Sequence, residues 1–331
     1  MKNWFVLLLS LMAALILFFV LSIFYGQAAP KELEMDQPIQ IVMKSAEVKP
    51  MEFWGVAQRG ILEAAKEYGV SVEFSGPPFE KDIEQQISIL DTVIEKRPPL
   101  IILVAADYVR LVASVEKAES LGIPVVTFDS GVDSSIPVSF IATDNIEAGK
   151  KAGAELLKLL YGSDHREVAI VSHIREAATA IDRENGVRSA IDESMIIGSW
   201  YCDVEEDKAY EITMKLLENK HLGGIVALNE ASTLGVARAV EEKQLQDKVA
   251  VVGFDNAVKE LTYLESGVID ATVVQRPYNM GYMTVKIAVD YLSGKPVPKF
   301  LDTGSVLIDR SNMFKREYQE LLYPFSSIYS K

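Results

Sequence analysis

Short apolar runs alternate with amphipathic helical segments through most of this chain. The first two runs, Ile39–Met43 and Val70–Phe74, flank a helical pattern over Phe53–Tyr68, and the last run is Ser305–Ile308. The runs are rich in β-branched residues, and several are apolar throughout, as is typical of strands buried on both faces. Strands that alternate with helices predict βαβ units. The sequence therefore predicts an α/β fold with parallel sheets.

The same alternation restarts after the segment Ile141–Asn145, so the chain contains two similar halves. A length of 331 residues suits two domains of about 100–150 residues each better than one core. We therefore expect two doubly wound parallel-sheet domains, each covered by helices on both faces.

An uncharged run of 22 residues, Trp4–Tyr25, lies near the N-terminus. It is long enough to cross a bilayer core of about 30 Å, and it exceeds the roughly 7–15 apolar residues of a cleaved signal peptide. Lys2 before the run and acidic residues after it favour an exported body. The prediction is one N-terminal hydrophobic helix that anchors the chain in the membrane through residues 4–25, with cleavage after Ala28 as the alternative.

Charge and composition exclude several functional classes. The formal net charge of −14 argues against binding of nucleic acid. Cys202 is the single cysteine, so neither an intrachain disulfide nor a cysteine-based metal cluster can form within the chain. The three histidines, His165, His173 and His221, lack the spacing of a metal site and are expected in packing or at the surface. No metal and no cofactor are expected.

The common catalytic motifs are missing from this sequence. There is no G-x-G-x-x-G after a strand, no Walker A lysine motif and no G-x-S-x-G elbow. Asp129 and Asp255 resemble a glycosidase pair only because both are carboxylates. We therefore expect a binding protein without catalytic residues.

Polar residues stand just beyond four of the apolar strands, at Asp129, Asn229, Asp255 and Gln275. In open α/β sheets, ligands bind beyond the carboxyl ends of the strands. Turn residues are common at strand ends in any case, and Asp255 could simply N-cap the next helix. The set nevertheless combines acceptors with donor–acceptor amides, which is what the hydroxyl groups of a sugar require.

Two further features extend this candidate site. Arg183 would add a planar fork of hydrogen-bond donors. Phe53 and Trp54 open the first predicted helix, and an aromatic face can cover the C–H face of a sugar. On spacing alone, packing of the helix against the sheet is the better explanation of these two aromatic residues.

Seven motifs in this order resemble the type I periplasmic sugar-binding proteins, a family that includes the ribose-binding protein and is related to the ligand-binding core of LacI-type repressors. The resemblance runs from about Ile39 to Ile308. The motifs are F-W-x-x-x-x-x-G (Phe53 to Gly60), G-I-P-V-V-T-F-D (Gly122 to Asp129), I-A-T-D-N-x-x-A-G (Ile141 to Gly149), D-R-E-N-G (Asp182 to Gly186), A-L-N-E (Ala227 to Glu230), V-V-G-F-D (Val251 to Asp255) and A-T-V-V-Q-x-P (Ala271 to Pro277).

The resemblance implies two α/β domains joined by a three-crossover hinge, with a sugar held in the cleft between them. The predicted limits are 1–28 for the anchor or signal segment, 29–38 for a linker, 39–143 plus 276–302 for the N-terminal domain, and 144–275 plus 303–320 for the C-terminal domain. By position, the ligand-binding residues would be the aromatic Phe53 and Trp54 and the polar Asp129, Arg183, Asn229, Asp255 and Gln275.

Three positions depart from the ribose-binding pattern. Ser130 stands where an arginine usually follows the first aspartate, and Met51 stands where an asparagine usually precedes the aromatic pair. The aromatic residue expected near Val204 is missing, with Trp200 or Tyr201 as possible substitutes. Lost donors change which hydroxyls can be paired, and an unpaired buried polar group costs about 1–3 kcal/mol. The expected ligand is therefore another pentose, a hexose or a derivative rather than ribose.

The leading hypothesis is an extracytoplasmic solute-binding protein that captures a monosaccharide for ABC-type uptake. The alternative is a membrane-tethered sugar-sensing subunit that signals to a histidine kinase or similar receptor, which an uncleaved anchor would favour. A LacI-type repressor would need a basic helix-turn-helix before residue 39, where the hydrophobic run lies instead. The expected partners are a small-molecule sugar, a membrane protein such as an ABC permease or sensor kinase, and the membrane itself through the N-terminal helix.

Overall fold

The structure is a computed structural model in which residues 35–46, 48–49 and 52–323 are described, together with positions 4 and 12. It divides into two compact units, Met1–Glu34 and Met35–Lys331, and every element named below belongs to the second. The hydrophobic helix predicted over 4–25 lies outside the described residues, apart from positions 4 and 12. Among the described residues, every helix is too short or too polar to span a membrane.

The described part of the second unit contains twelve strands and ten α-helices. The strands are β1 (Ile39–Val42), β2 (Val72–Ser75), β3 (Ile101–Leu103), β4 (Val125–Phe128), β5 (Ser139–Ala142), β6 (Glu167–Ser172), β7 (Ile196–Tyr201), β8 (Leu222–Ala227), β9 (Ala250–Phe254), β10 (Ala271–Gln275), β11 (Phe300–Asp302) and β12 (Ser305–Asp309). The helices are α1 (Phe53–Tyr68), α2 (Ile83–Glu95), α3 (Val112–Ser120), α4 (Asn145–Leu159), α5 (Ala178–Ala190), α6 (Glu206–Leu216), α7 (Glu230–Glu242), α8 (Val258–Ser266), α9 (Pro277–Leu292) and α10 (Arg316–Leu322).

The strands form two six-stranded sheets. The first has the order β11-β5-β4-β3-β1-β2, and all of its strand pairs are parallel. The second has the order β12-β10-β9-β8-β6-β7 and is parallel except for β12, which pairs antiparallel with β10. The prediction of two doubly wound α/β domains is therefore confirmed, with one strand reversed.

The reversal of β12 follows from its short connection to β11. The two strands belong to different sheets, and only residues 303–304 lie between them, so β12 begins close to the point where β11 ends. Strand β11 runs towards the second sheet, and the chain passes to that sheet directly after it. Because β10 ends at the facing edge of the second sheet, β12 starts there and runs the opposite way.

The chain passes between the two sheets three times. It crosses between β5 and α4, between β10 and α9, and between β11 and β12. Helix α9 thereby returns to the first sheet and packs on α1, β4 and β5. The domain limits given by the sequence, 39–143 with 276–302 and 144–275 with 303–320, stay a prediction.

The sequence pattern does not predict β5 or β11. These strands have four and three residues respectively, which is too short for a periodic signal. They become strands because β5 pairs with the buried β4, and β11 then pairs with β5. Their formation depends on the sheet that is already present rather than on their own sequence.

Apolar side chains cover both faces of each sheet. In β1, Ile41 packs in a cluster with Ile61 of α1, whereas its neighbour Val42 packs in a cluster with Leu90 of α2. Successive side chains of a strand point to opposite faces, so one apolar strand supports helices on both sides. This arrangement accounts for runs that are apolar throughout rather than alternating.

Helices α4 and α5 are in close contact through two glycines. A Cβ at Gly149 would lie 2.1 Å from the carbonyl oxygen of Arg183, and one at Gly186 would lie 2.2 Å from that of Ile146. The helices approach this closely only because neither position carries a side chain. The contact fixes the position of Arg183 on α5 relative to α4.

We expect Gly186→Ala to lower the free energy of unfolding by about 1–3 kcal/mol, because the added methyl group overpacks the contact between α4 and α5. Chemical denaturation followed by circular dichroism measures the change. The control is Lys150→Ala, a substitution at an exposed position of α4. Equal stability of the two variants would contradict the close packing described above.

Candidate functional site

A cavity of about 840 Å³ lies between the two sheets. Strands β4, β8, β9 and β10 end at this cavity, so the residues that follow or end them converge there although they are distant in sequence. All seven residues predicted from the sequence line it, namely Phe53, Trp54, Asp129, Arg183, Asn229, Asp255 and Gln275. Their role in binding a ligand stays a prediction.

Asp129 and Asp255 directly follow β4 and β9, and both have left-handed backbone conformations, with φ values of 60° and 78°. Aspartate tolerates this region better than most residues, and such strained positions cluster at functional sites. The N-cap of α8 is Ala257, whereas Oδ1 of Asp255 accepts a hydrogen bond of 2.8 Å from Nε2 of Gln275. The alternative in which Asp255 simply N-caps the next helix is therefore wrong.

Lys44 is a further charged residue of the cavity, and it was not predicted from the sequence. It is only 4% exposed, and its Nζ lies 3.3 Å from Oδ2 of Asp129 and 3.6 Å from Oε2 of Glu80. Burial acts to lower the pKa of Lys44, but the carboxylates of Glu80 and Asp129 outweigh it and raise the pKa above its ordinary value. The ammonium group therefore stays charged. The available signal was its place just beyond the first strand.

Trp54 connects this charged group to the aromatic part of the cavity. The Nζ of Lys44 lies 5.2 Å from the centroid of the Trp54 ring, a distance at which a cation is attracted to the ring. Nε1 of Trp54 donates a hydrogen bond of 3.1 Å to Oε1 of Glu80. Phe53 and Phe128 contact the same ring edge to face, at 4.8 Å and 6.1 Å between centroids. The indole is thus held in one orientation at the cavity.

Arg183 lies on the other side of the cavity from Lys44 and is held by two hydrogen bonds. Its Nε donates to Oδ1 of Asn145 and its Nη1 donates to the carbonyl oxygen of Leu228, both at 2.8 Å, while the guanidinium lies 4.7 Å from the centroid of the Phe254 ring. Among the described residues, its hydrogen bonds use Nε and Nη1 and leave Nη2 without a partner. Burial raises the pKa of Asp255, and the charge of Arg183 partly offsets this effect.

In each of the two predicted amides, Asn229 and Gln275, one of the two polar atoms forms a hydrogen bond within the protein and the other does not. Oδ1 of Asn229 accepts from the backbone N–H of Ser232 at 3.0 Å and caps α7, so its Nδ2 is available as a donor. Nε2 of Gln275 donates to Asp255, and its Oε1 has no partner among the described residues. Together they present one donor and one acceptor, which is the requirement of a hydroxyl group.

His173 also lines the cavity, at 3% exposure. Its Nε2 lies 2.9 Å from Oγ1 of Thr179. Burial, together with the nearby charges of Lys44 and Arg183, lowers the pKa of His173 well below its ordinary value of 6.5, so the ring is neutral. This histidine was predicted from the sequence to serve in packing or to lie at the surface, although it directly follows β6.

The positions that depart from the ribose-binding pattern lie in different surroundings, and only some of them line the cavity. Val204 lines the cavity, whereas neither Trp200 nor Tyr201 does, so the proposed aromatic substitution is wrong. Both residues lie within the edge strand β7, where Trp200 packs on the core and the hydroxyl of Tyr201 donates to Glu184 at 2.7 Å. Ser130 is fully buried and does not line the cavity. Met51 lies outside the described residues.

Two contacts join the halves of the chain, and the first is made by residues that line the cavity. Nζ of Lys81 lies 2.6 Å from Oε1 of Glu205, and the backbone N–H of Tyr108 donates to the carbonyl oxygen of Glu176 at 2.9 Å. Each pair links an element of the first sheet's half with one of the second's. The two halves of the chain are therefore in direct contact at both places.

Within the described ranges, no group of three or more histidine, cysteine, aspartate or glutamate residues could hold a metal ion. Cys202 is buried, and its burial raises the pKa of the thiol to about 11, which makes it a poor nucleophile and a poor ligand.

Comparison with known proteins identifies relatives across most of the chain. Residues 44–296 match the family model of the periplasmic binding protein domain. The D-allose-binding periplasmic protein of Escherichia coli (strain K12) is 30% identical over 258 residues, which cover 74% of this chain and 83% of the relative. The ribose import binding protein of Bacillus subtilis (strain 168) is 25% identical over 75% of this chain and 80% of its own length.

Solved structures with the same fold include two sugar complexes. A carbohydrate transporter solute-binding protein from Agrobacterium radiobacter, in complex with D-arabinose, superimposes with a TM-score of 0.81 at 30% identity and covers 88% of this chain and 99% of that one. An ABC transporter solute-binding protein from Agrobacterium vitis with bound D-fucose also has a TM-score of 0.81, at 29% identity, and covers 87% and 100%.

Replacement of Lys44 by methionine is expected to destabilise the fold by about 3–5 kcal/mol, because it leaves the buried carboxylate of Asp129 and the half-buried carboxylate of Glu80 without their counter-charge. Lys117→Met is the matched control, since it removes an exposed ion pair with Asp91 and should cost less than about 1 kcal/mol. Urea denaturation of both variants gives the comparison. A loss for Lys44→Met no larger than that of the control would contradict the assigned charge network.

Proposed function

This chain belongs to the periplasmic binding protein domain family, and we propose on that premise that it captures a monosaccharide outside the cytoplasm for ABC-type uptake. Membership of the family implies an extracytoplasmic location and a substrate-binding rather than a catalytic role. The observation that carries the proposal is the convergence of all seven predicted residues on one cavity. They come from both halves of the chain, so a ligand bound there would hold the halves together.

The chemistry of the inner cavity favours an uncharged polyol. Two buried cations, Lys44 and Arg183, stand near the carboxyl groups of Asp129, Glu80 and Asp255, so most of the inner charge is compensated. A ligand with its own negative or positive charge would disturb that balance, whereas sugar hydroxyls can donate to the carboxylates and accept from the cations. The face of Trp54 supplies the apolar surface for ring C–H groups.

The proposed ligand is an aldopentose or aldohexose. Its relatives are named for D-allose and ribose, and the solved neighbours contain D-arabinose and D-fucose. The position after Asp129 gives no donor to the cavity because Ser130 is buried away from it, and Lys44 supplies a cation from another strand instead. A cation displaced in this way contacts different hydroxyls, which supports a preference other than ribose.

A second candidate function is a membrane-tethered subunit that senses the sugar and signals to a receptor such as a histidine kinase. The observation that favours it is the uncharged run Trp4–Tyr25, which is longer than a typical signal-peptide core. N-terminal sequencing of the mature protein from its native host separates the two. Cleavage near Ala28 supports a diffusible carrier, and an intact N-terminus in the membrane fraction supports a tethered subunit.

The first functional test is calorimetric titration of the protein with D-allose, D-ribose, D-arabinose, D-fucose and a charged control, D-glucuronate. We expect one neutral aldose to bind and D-glucuronate to fail, since a carboxylate would face Asp129 and Asp255. Binding of D-glucuronate as tightly as the best neutral sugar would refute the charge argument. No binding by any aldose would refute the proposed function.

We expect Asp255→Ala to weaken binding of that sugar by about 10–100-fold, because it removes charge-assisted hydrogen bonds worth roughly 1.5–3 kcal/mol. Asp247→Ala, an exposed aspartate of the same half, is the control and should bind normally. Titration calorimetry measures both affinities, and circular dichroism checks that the fold is kept. Wild-type affinity in a folded Asp255→Ala protein would remove this residue from the site.

A further inference from the structure

The cavity has more room than a single sugar ring needs. Its volume of about 840 Å³ equals that of about 28 molecules of liquid water, at roughly 30 Å³ each. An aldohexose, counted generously at one such volume for each of its roughly twelve carbon and oxygen atoms, fills less than half of this space. The halves of the chain already touch at Lys81 and Glu205, which both line the cavity. The extra room is therefore present while the halves are in contact.

The exposure of the lining residues divides the cavity into an inner and an outer part. The polar side chains of the inner part are buried, namely Lys44, Asp129, Arg183, Asp255 and Gln275. The outer part faces solvent and contains four apolar residues, which we call the outer apolar rim: Phe79, Val204, Leu234 and Val258. Phe79 and Val258 are 54% and 60% exposed, so these large apolar side chains lack a cover within the described part of the chain.

One cation connects the two sides of the outer apolar rim. Nζ of Lys81 lies 6.0 Å from the centroid of the Phe79 ring, in the first half of the chain. The same atom lies 2.6 Å from Oε1 of Glu205, in the second half. Val204 directly precedes Glu205 in the sequence. The aromatic ring of one half and the valine of the other therefore border the same part of the cavity.

The other two rim residues lie around Glu206, the first residue of α6. Lys259 follows Val258, and its Nζ lies 3.0 Å from Oε1 of Glu206. Gly235 follows Leu234, and a Cβ at Gly235 would lie only 2.5 Å from the carbonyl oxygen of Glu206. The start of α6 thus brings all four apolar residues of the rim into one region, although they come from four separate segments.

The loop that carries Phe79 is held in place from both sides of its two prolines. The carbonyl oxygen of Pro77 accepts from the backbone N–H of Ala46 at 2.6 Å, and that of Pro78 accepts from Oγ of Ser45 at 3.0 Å. Proline also restricts the backbone of the loop. An exposed ring on such a loop loses little conformational entropy when it is covered by a ligand.

The charged groups of the outer part mostly pair with one another. Three ion pairs line it, namely Lys81 with Glu205, Lys259 with Glu206 and Lys49 with Glu52. Because these charges are compensated, the outer part does not require a charged ligand. A neutral ring with an apolar face suits it, since that face can cover the rim.

We propose that the cavity binds a glycoside, with an aldose in the inner part and a second, neutral ring against the outer apolar rim. The proposal deepens the proposed sugar-binding function by extending its ligand class, and it rests on that function. Polar groups read the hydroxyls of the first ring, whereas the second ring is held mainly through its apolar face. Phe79 is the residue that contributes most to the second contact, because it is the one aromatic side chain of the rim.

The test is titration calorimetry with D-allose and with the methyl and phenyl D-allopyranosides of both anomers, or with the same derivatives of the aldose that binds best in the panel above. We expect one phenyl glycoside to bind at least about tenfold more tightly than the methyl glycoside of the same anomer, because the phenyl ring buries apolar surface. The methyl glycoside has the same linkage without a second ring and is the matched probe.

Phe79→Ala should reduce this preference for the phenyl over the methyl glycoside by about fivefold, since it removes the aromatic contact. Phe314→Ala is the control, because Phe314 is also exposed but does not line the cavity, and it should keep the wild-type preference. Each preference compares two ligands of one protein, so a change in the folded fraction does not affect it. An unchanged preference in Phe79→Ala would overturn the assigned contact.

A disaccharide in which the same linkage joins the aldose to glucose identifies the kind of second ring. An affinity equal to that of the phenyl glycoside supports a second sugar ring, and an affinity no higher than that of the methyl glycoside supports an aromatic one.

The free aldose separates this proposal from the proposed function. If the aldose binds and no glycoside does, the second ring has no place in the cavity, so the proposal fails and the proposed function stands. If a phenyl glycoside binds and no free aldose does, the glycoside proposal stands and the capture of free monosaccharides fails. If neither kind of ligand binds, both fail.

Discussion

Parallel strand pairing is the constraint on which the cavity depends. Because the strands that border it end at the same edge of their sheets, a residue just past a strand end reaches the cavity whatever its position in the sequence. Lys44 after β1, Asp129 after β4, His173 after β6 and Asp255 after β9 all obey this rule. The rule also concentrates polar groups in a place that the sheets shield from water, and buried charges must then be paired. The topology of the sheets thus brings charged groups together in a buried place, where they need partners of opposite charge.

The buried charged groups have different partners on the two sides of the cavity. On one side a single ammonium group, Lys44, is shared between two carboxylates and lies beside the Trp54 ring. On the other side Arg183 is clamped by Asn145 and a backbone carbonyl, and the close contact of α4 with α5 sets its position. Donors fixed in advance lose little conformational entropy when a ligand arrives. Both sides are therefore held in place by contacts within the protein itself.

Much of this architecture could be predicted from the sequence, because repeated alternation of strands and helices is a long-range signal that averages over local errors. The convergence of Asp129, Asn229, Asp255 and Gln275 followed from the same pattern. Lys44 and His173 were missed because a lone polar residue after a strand is common, and their significance lies in partners such as Glu80 and Thr179 that are far along the chain or across a turn. The direction of β12 depended on a two-residue connection, which carries no periodic signal.

The three passages of the chain between the sheets have a consequence for the order in which the protein can fold during synthesis. The first sheet begins with β1 at Ile39, yet its packing is completed by α9 and its outer strand is β11, which ends at Asp302. A growing chain therefore cannot finish its first half before nearly the whole second half has been made. Neither half can be obtained by simply shortening the gene from one end.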